Sequence, residues 1–263
     1  MTILAIDIGT TGVTALLVSP DASIVAKGYQ EFTQYFPNEG WVEHEPSEIW
    51  DAVLASCGQV LAGDEQPTAI GITNQRETLV LWDRETLGSP MKAIVWQDRR
   101  TAGICAQMKA NGKEEMVAER TGLRLDPYFT GTKITWVKDN APHVYAGIAA
   151  GRTAIGTVDS YLIARLTRGL HHVTDASNAS RTLLYNLATG DWDDELCALF
   201  EVPRDALPEI VPSYGEIGMT DPDSFFGLSI PIAGIAGDQQ AALFGQTCFS
   251  PGSSKCTYGT GSF

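Results

Sequence analysis

The run Ile3-Leu4-Ala5-Ile6-Asp7-Ile8-Gly9-Thr10-Thr11-Gly12, followed without a break by Val13 to Val18, decides how this chain is read. An apolar strand meets an acidic residue, turns through Gly-Thr-Thr-Gly and leaves as a second apolar strand, the pattern of a β-hairpin. Its tip offers a carboxylate, two hydroxyls and glycines, whose missing side chains let backbone N–H groups approach a ligand. Such a concavity suits phosphate, with Asp7 placed to hold a cation nearby. Gly and Thr are equally common in turns that bind nothing, and no Walker Gly-Lys-Ser/Thr follows. By itself the hairpin is compatible with either reading.

Working outward, Ile24 to Phe32 makes a third strand after the short Ser19-Pro20-Asp21 turn, so the chain opens as an antiparallel meander. Pro46 starts a helix whose apolar residues Ile49, Trp50, Val53, Leu54, Cys57, Val60 and Leu61 keep helical spacing. Ala69 to Thr73 reads as a buried strand, Thr78 to Trp82 as its return and Ala93 to Trp96 as another strand. Asp98 stands as the expected N-cap of a helix over 99–108. Helices are expected over 128–140, 145–150, 159–166 and 193–200, a polar loop over 174–180, and mostly irregular chain over 203–231. A small-residue strand, Ile232 to Ala236, then leads through Gly237-Asp238-Gln239-Gln240 into a helix over 241–244. Strands alternating with helices after a meander indicate an α/β fold with a mixed sheet. Near the end, Lys255 to Gly261 reads as a strand running into Gly-Thr-Gly, an echo of the opening hairpin. Chance explains so short a match as well as duplication does.

Composition narrows the function. Asp and Glu number 32 against 18 Lys and Arg, a net charge of −14, which disfavours a nucleic-acid or anionic-membrane binder, whose partners need a basic footprint. Five scattered cysteines without a Cys-x-x-Cys pair read as free thiols of an intracellular protein. The four histidines keep no zinc spacing. No basic n-region precedes the first apolar run and no run approaches a membrane span, so a cytoplasmic protein without membrane insertion is expected. A homo-oligomer is compatible with all of this.

Three polar clusters interrupt apolar strands: Asp7 with its Thr turn, Arg76-Glu77, and Asp238-Gln239. Each falls at or after the end of a strand, where α/β sheets place ligands. Arg76 beside Glu77 reads either as a surface ion pair or, with Asp238 and Gln239, as donors and acceptors for a polyhydroxylated substrate. Asp238 reads either as a helix N-cap or as a base facing a substrate hydroxyl.

Several separated segments carry a resemblance: Gly71 to Thr78 (GITNQRET), Ala93 to Thr101 (AIVWQDRRT), Tyr128-x-Thr-x-x-Lys133-Ile-x-Trp136-Val-x-Asp139-Asn140, Thr174 to Thr182 (TDASNASRT) and Gly237 to Gly245 (GDQQAALFG). Across essentially its whole length the chain resembles the FGGY carbohydrate kinase family and, within it, the glycerol kinases. The resemblance implies an actin-like ATPase, ribonuclease H-like fold of two domains with the active site between them. Residues 1–247 then correspond to the N-terminal, substrate-binding domain, and 248–263 to the first strand and turn of a truncated second one.

It also implies an enzyme that phosphorylates glycerol with MgATP to give sn-glycerol 3-phosphate and ADP, with this fragment by itself inactive or nearly so. Arg76, Glu77, Asp238, Gln239 and Tyr128 match glycerol-contacting positions, and Trp96 and Phe263 match the aromatic pair flanking its carbon backbone. Asp238 matches the catalytic base. Asp7 with Asp238 matches the Mg2+ site, and Thr10, Thr11, Gly12 and Thr260 match phosphate contacts. An aspartate is ionised at neutral pH and a weak base, which a loose phosphoryl-transfer transition state tolerates.

Departures accompany the match. Thr14 stands where many glycerol kinases carry Arg, Gly12 replaces a Ser, and Phe225-Phe226-Gly227-Leu228-Ser229 lacks the Gly-Gly-Thr-Arg of members inhibited by fructose bisphosphate. The alternatives are a related sugar kinase such as a xylulokinase, separable by a substrate screen, and a non-catalytic actin-fold ligand-binding protein, separable by ATP turnover.

Overall fold

The structure, a computed structural model, describes residues 2–263. Six strands form its main sheet: β1 (Thr2–Ile8), β2 (Gly12–Val18), β3 (Ile24–Glu31), β4 (Pro67–Asn74), β5 (Tyr214–Met219) and β6 (Pro231–Gly237). Their order across the sheet is β5-β6-β4-β1-β2-β3. The opening meander is antiparallel, as expected, whereas β4 runs parallel to β1 on one side and to β6 on the other. The sheet is therefore mixed.

Register follows the apolar alternation. Leu4, Ile6 and Ile8 stand opposite Leu17, Ala15 and Val13 of β2, and opposite Ile70, Ile72 and Asn74 of β4. One face is thus continuously apolar, and α1 (Pro46–Leu61) covers it with Ile49, Trp50, Val53, Cys57 and Val60. Contact between α1 and β3 is so close that a Cβ on Gly28 would lie 2.2 Å from the Ser56 carbonyl oxygen, so only glycine fits there. A second core gathers residues of α2 (Thr130–Asn140) and the segments around it, including Val117, Leu125, Ile134, Val137, Leu184 and Phe200. The buried helix α3 (Val158–Leu166) joins the first core. The chain enters α4 (Asp238–Gly245) directly from β6. Among the described residues no helix is long and apolar enough to cross a membrane.

Several local expectations are corrected. Asp98 caps no helix: the helix starts at Ala102, with Thr101 at the cap position. The Asp98 carboxylate is buried instead, binding the Arg100 guanidinium at 2.7 and 2.9 Å and accepting from the Val42 amide at 2.7 Å. Arg100 also lies 3.9 Å from the centroid of the Trp41 ring, a partnership with a distant residue that a local pattern does not reveal. The expected loop over 174–180 contains the strand Val173–Asp175 and the short helix Ala176–Ala179, which Asp175 caps by accepting from the Ser177 and Asn178 amides. Residues 203–231 include the strand Glu209–Val211 and all of β5, the sheet's edge. Lys255 to Tyr258 form no strand; Tyr258 and Ser262 make an isolated bridge, and Thr257 and Phe263 exchange backbone hydrogen bonds. A lone hairpin without a neighbouring strand gains too little to form a regular ladder.

Candidate functional site

Parallel register brings the polar clusters together. Ile8 stands opposite Asn74, and Asn74 opposite Gly237, so β1, β4 and β6 end at one level. The residues that follow, Gly9-Thr10, Gln75-Arg76-Glu77 and Asp238-Gln239, therefore open at one edge of the sheet, the position at which α/β sheets bind ligands. A cavity of about 370 Å3 lies there. Its lining includes Asp7, Thr10, Arg76, Glu77, Asp238 and Gln239, together with Trp96, Tyr128, Thr260 and Phe263 from other segments. Thr11 and Gly12, also expected near phosphate, stand apart from it: Thr11 is exposed, and the space beside Gly12 is filled by Tyr29 and the Gln30 carbonyl.

Arg76 and Glu77 are fixed by charge and hydrogen bonds. Arg76 is buried, with its Nε 3.0 Å from Asp238 Oδ1 and a hydrogen bond from Nη1 to Gln240 Oε1 at 3.3 Å. Glu77 accepts from Arg181 Nε at 2.8 Å, while its other oxygen, Oε2, is buried without a hydrogen-bond partner. Burial raises the Glu77 pKa, with Arg76 and Arg181 opposing the shift. Arg76 and Glu77 are both buried and Arg181 is half-buried, so the surface-pair reading of Arg76-Glu77 gives way to a network in which Glu77 lies 3.9 Å from Arg76 Nε and 2.8 Å from Arg181 Nε. A Cβ on Gly237 would come within 2.5 Å of Arg76 Cδ, so this glycine leaves room for the Arg76 stem.

Asp238 opens α4 but is not its cap residue, which is Gly237. Its Oδ1 accepts from the Gln239 amide at 2.7 Å, and the side chain remains 38% exposed to the cavity. Asp7 is open to the same cavity, yet the protein packed around its carboxyl raises the pKa to about 6, with the Asp238 charge adding to the shift. The aromatic wall is a chain of edge-to-face contacts: Trp96 with Tyr128 at 5.6 Å and Trp96 with Phe263 at 5.9 Å between centroids. Burial and the Glu77 charge push the Tyr128 hydroxyl up to about 12, so it remains a neutral donor at ordinary pH. The Trp96 indole donates to Thr10 Oγ1 at 3.0 Å, tying the aromatic wall to the opening turn.

Gln75, Arg181 and Lys133, to which the sequence pattern assigns no role, support the site from behind. Gln75 donates from its backbone to the Ile8 carbonyl at 2.8 Å and from Nε2 to the Gly9 carbonyl at 3.0 Å, which locks the first turn to β4. A lysine inside the otherwise buried first half of α2 was the legible signal for Lys133. A larger cavity of about 870 Å3, which shares Asp7 with the first, is bordered by Ala5, Leu16, Gly71, Ile72, Ala236 and Phe244. Its lining is mostly apolar; Asp7 and Gln240 reach it, but no Arg, Lys or His does.

The profile of the FGGY family of carbohydrate kinases, N-terminal domain, matches residues 2–245. Among curated relatives, a glycerol kinase of Methylobacterium nodulans is 58% identical over 265 aligned positions, covering 99% of this chain and 53% of the relative. One from Carboxydothermus hydrogenoformans is 53% identical with the same coverage of both chains. The chain thus spans about half the length of the curated relatives it matches. Among solved structures, Plasmodium falciparum glycerol kinase with ADP superposes with a TM-score of 0.93 at 36% identity, covering 99% of this chain and 53% of that one. A xylulose kinase from Rhodospirillum rubrum reaches 0.91 at 26% identity, covering 100% and 54%. The sheet described above is accordingly the actin-like ATPase fold shared by these sugar kinases. With 244 consecutive residues matching the family's N-terminal domain and its polar strand ends meeting in one cavity, the chain belongs to the FGGY family of carbohydrate kinases.

Proposed function

We propose that this chain supplies the polyol-binding half of an ATP-dependent glycerol kinase, which makes sn-glycerol 3-phosphate and ADP. The observation that carries the reading is the convergence of Arg76, Glu77, Asp238 and Gln239 with the Trp96, Tyr128 and Phe263 rings in one cavity. A small polyol needs donors and acceptors for its hydroxyls and apolar walls for its carbons, and both are present. The buried, unpartnered Glu77 Oε2 is an acceptor available to a hydroxyl. In this reading Asp238 takes the proton of the attacking hydroxyl, oriented by Arg76 Nε and the Gln239 amide. Thr10 and Thr260 contact transferred phosphate from two sides of the cavity, whereas Thr11 and Gly12 only shape the turn that carries Thr10.

The residues also fit Mg2+. Asp7 and Asp238 are two hard oxygen donors; burial, and after it the Asp238 charge, raises the Asp7 pKa, and the two carboxylates would hold a divalent cation that offsets both penalties. Among the described residues no cluster of three or more His, Cys, Asp or Glu side chains forms, which suits a metal held by one or two carboxylates and its phosphates. When bound, the ion neutralises charge on the phosphoryl oxygens. Nucleotide use is supported by the ADP in the Plasmodium kinase. Residues 1–247 act as the substrate-binding domain and 248–263 begin a second, a division supported by the family match ending at residue 245 and by relatives about twice as long. Residues 1–263 by themselves are expected to turn over little substrate, and the enzyme works in the cytoplasm.

A coupled assay of the full-length protein with glycerol, xylulose, ribulose and erythritol tests this. The expected kcat/KM for glycerol exceeds the others by about 100-fold or more. Equal use of xylulose, or no ATP turnover with any polyol, overturns the reading.

A further inference from the structure

Of the residues lining the polar cavity, Glu77 alone among non-glycines has a left-handed backbone, with φ of +61°. The Thr78 amide donates to the Arg76 carbonyl at 2.7 Å across it. An i→i+2 hydrogen bond spanning a residue of positive φ is the rare, strained form of γ-turn. Such a conformation persists only where its surroundings over-determine it. Here two donors converge on the Glu77 carbonyl, Thr130 Oγ1 at 3.1 Å and Lys133 Nζ at 2.8 Å. The same lysine nitrogen donates to the Tyr128 carbonyl at 2.9 Å. Lys133 is fully buried in α2 and lines neither the polar cavity nor the apolar one.

We propose that Lys133 is a positioning residue for the polyol: its amine cross-links the Glu77 and Tyr128 carbonyls and so fixes the two recognition groups relative to each other. The inference rests on the glycerol reading of the cavity. Holding the turn sets where Glu77 and the adjacent Arg76 project, and holding the Tyr128 carbonyl sets the ring that packs on Trp96. A buried cation is costly unless its charge and its protons are matched. Around Lys133 the carboxylates of Glu77, Asp98 and Asp126 favour its charge, whereas Arg100 opposes it and Arg181 shares the Glu77 carboxylate. Burial outweighs these and brings the amine down to about 7. A neutral amine still has two N–H donors, one for each carbonyl, so the cross-link survives loss of the proton. An apolar residue would fill the same space without joining the two carbonyls, which is why a purely space-filling role does not account for the geometry.

The test is Lys133→Met in the full-length protein, with steady-state kinetics, glycerol calorimetry and thermal unfolding measured together. Expected is a rise of about tenfold or more in glycerol KM and a matching loss of glycerol affinity, with ATP KM within about twofold of the parent. A lysine that only supported the fold would lower the melting temperature and the active fraction, reducing kcat while the surviving molecules kept their glycerol KM. That result, in folded protein, overturns the proposal. Should Lys133→Met not fold, Thr130→Val removes the second donor to Glu77 and is expected to raise glycerol KM about threefold; an unchanged KM there also overturns it. A parent protein that neither binds nor phosphorylates glycerol would instead refute the functional reading, a distinguishable outcome.

Discussion

The polar cavity has two unlike walls. On one side Arg76 and Glu77 are 7% and 1% exposed, and their partners Lys133 and Arg181 approach from α2 and the segment after Ala179. On the other side Asp238 is 38% exposed, Phe263 40%, and Gly259 and Thr260 lie on the surface. The buried wall is held by partners distant in sequence that leave Glu77 Oε2 open to a ligand, at a cost in desolvation that several partners together offset. The open wall is held by few contacts, chiefly Lys255 to Gln239 and Thr257 and the Thr257–Phe263 backbone pair. The groups proposed to recognise the polyol are therefore held in place by the protein's own contacts, while those proposed to meet the reacting hydroxyl and phosphate keep access to solvent.

Removing the open wall's carboxylate is the sharpest way to separate the two. Asp238→Asn in the full-length protein is expected to lower kcat by about a thousandfold, within the range for a lost general base. Glycerol affinity by calorimetry should change only a few-fold, roughly, because the buried wall is intact. Near-normal turnover would take Asp238 out of the role and erase the division of labour between the walls.

A smaller effect is expected where the walls meet. Gly237→Ala places a Cβ within 2.5 Å of Arg76 Cδ and 2.8 Å of Cγ, which forces the arginine stem to shift away from Asp238. Glycerol KM should rise about tenfold, since a misplaced binding group costs both contact and alignment. Unchanged kinetics would mean that the Arg76–Asp238 pair tolerates displacement and that the buried wall is less rigid than drawn.

The smallest effect concerns Asp7, the carboxylate common to both cavities. Its folded pKa of about 6 lies above the unfolded value near 4, so the folded state binds the extra proton. The stabilisation from protonated Asp7 is complete below about pH 4 and lost as pH rises through about 6. In metal-free buffer Asp7→Asn should therefore melt higher than the parent by a few degrees, roughly, at pH 7.5, with the gap closing toward pH 4. A gap independent of pH would show that the Asp7 pKa is not raised by folding.

Much of the fold was legible because it rests on short-range pattern. Alternation in Ile3 to Val18 and Ile24 to Phe32 defines the meander, and helical spacing from Pro46 to Leu61 defines α1. The site was legible in part, through polar residues following apolar strands and the segments matching a known family. Thr11 and Gly12 illustrate the limit: as members of the turn they read like Thr10, yet only Thr10 faces the cavity, because side chains alternate and the turn has an inside. Asp98 and Asp175 illustrate another. Each looks locally interchangeable with the other, but one is consumed by Arg100 and Val42 and only the other caps a helix.

The sequence by itself determined the meander, the strand-to-polar transitions at Asp7, Asn74 and Gly237, and the acidic balance. Tertiary structure alone decided that those three strand ends lie level, that Glu77 adopts a strained turn, and that Lys133, fully buried, holds it. The physical reason is range. Backbone preference and hydrophobic period act over a few residues, whereas parallel register and the satisfaction of a buried charge depend on partners more than fifty residues away.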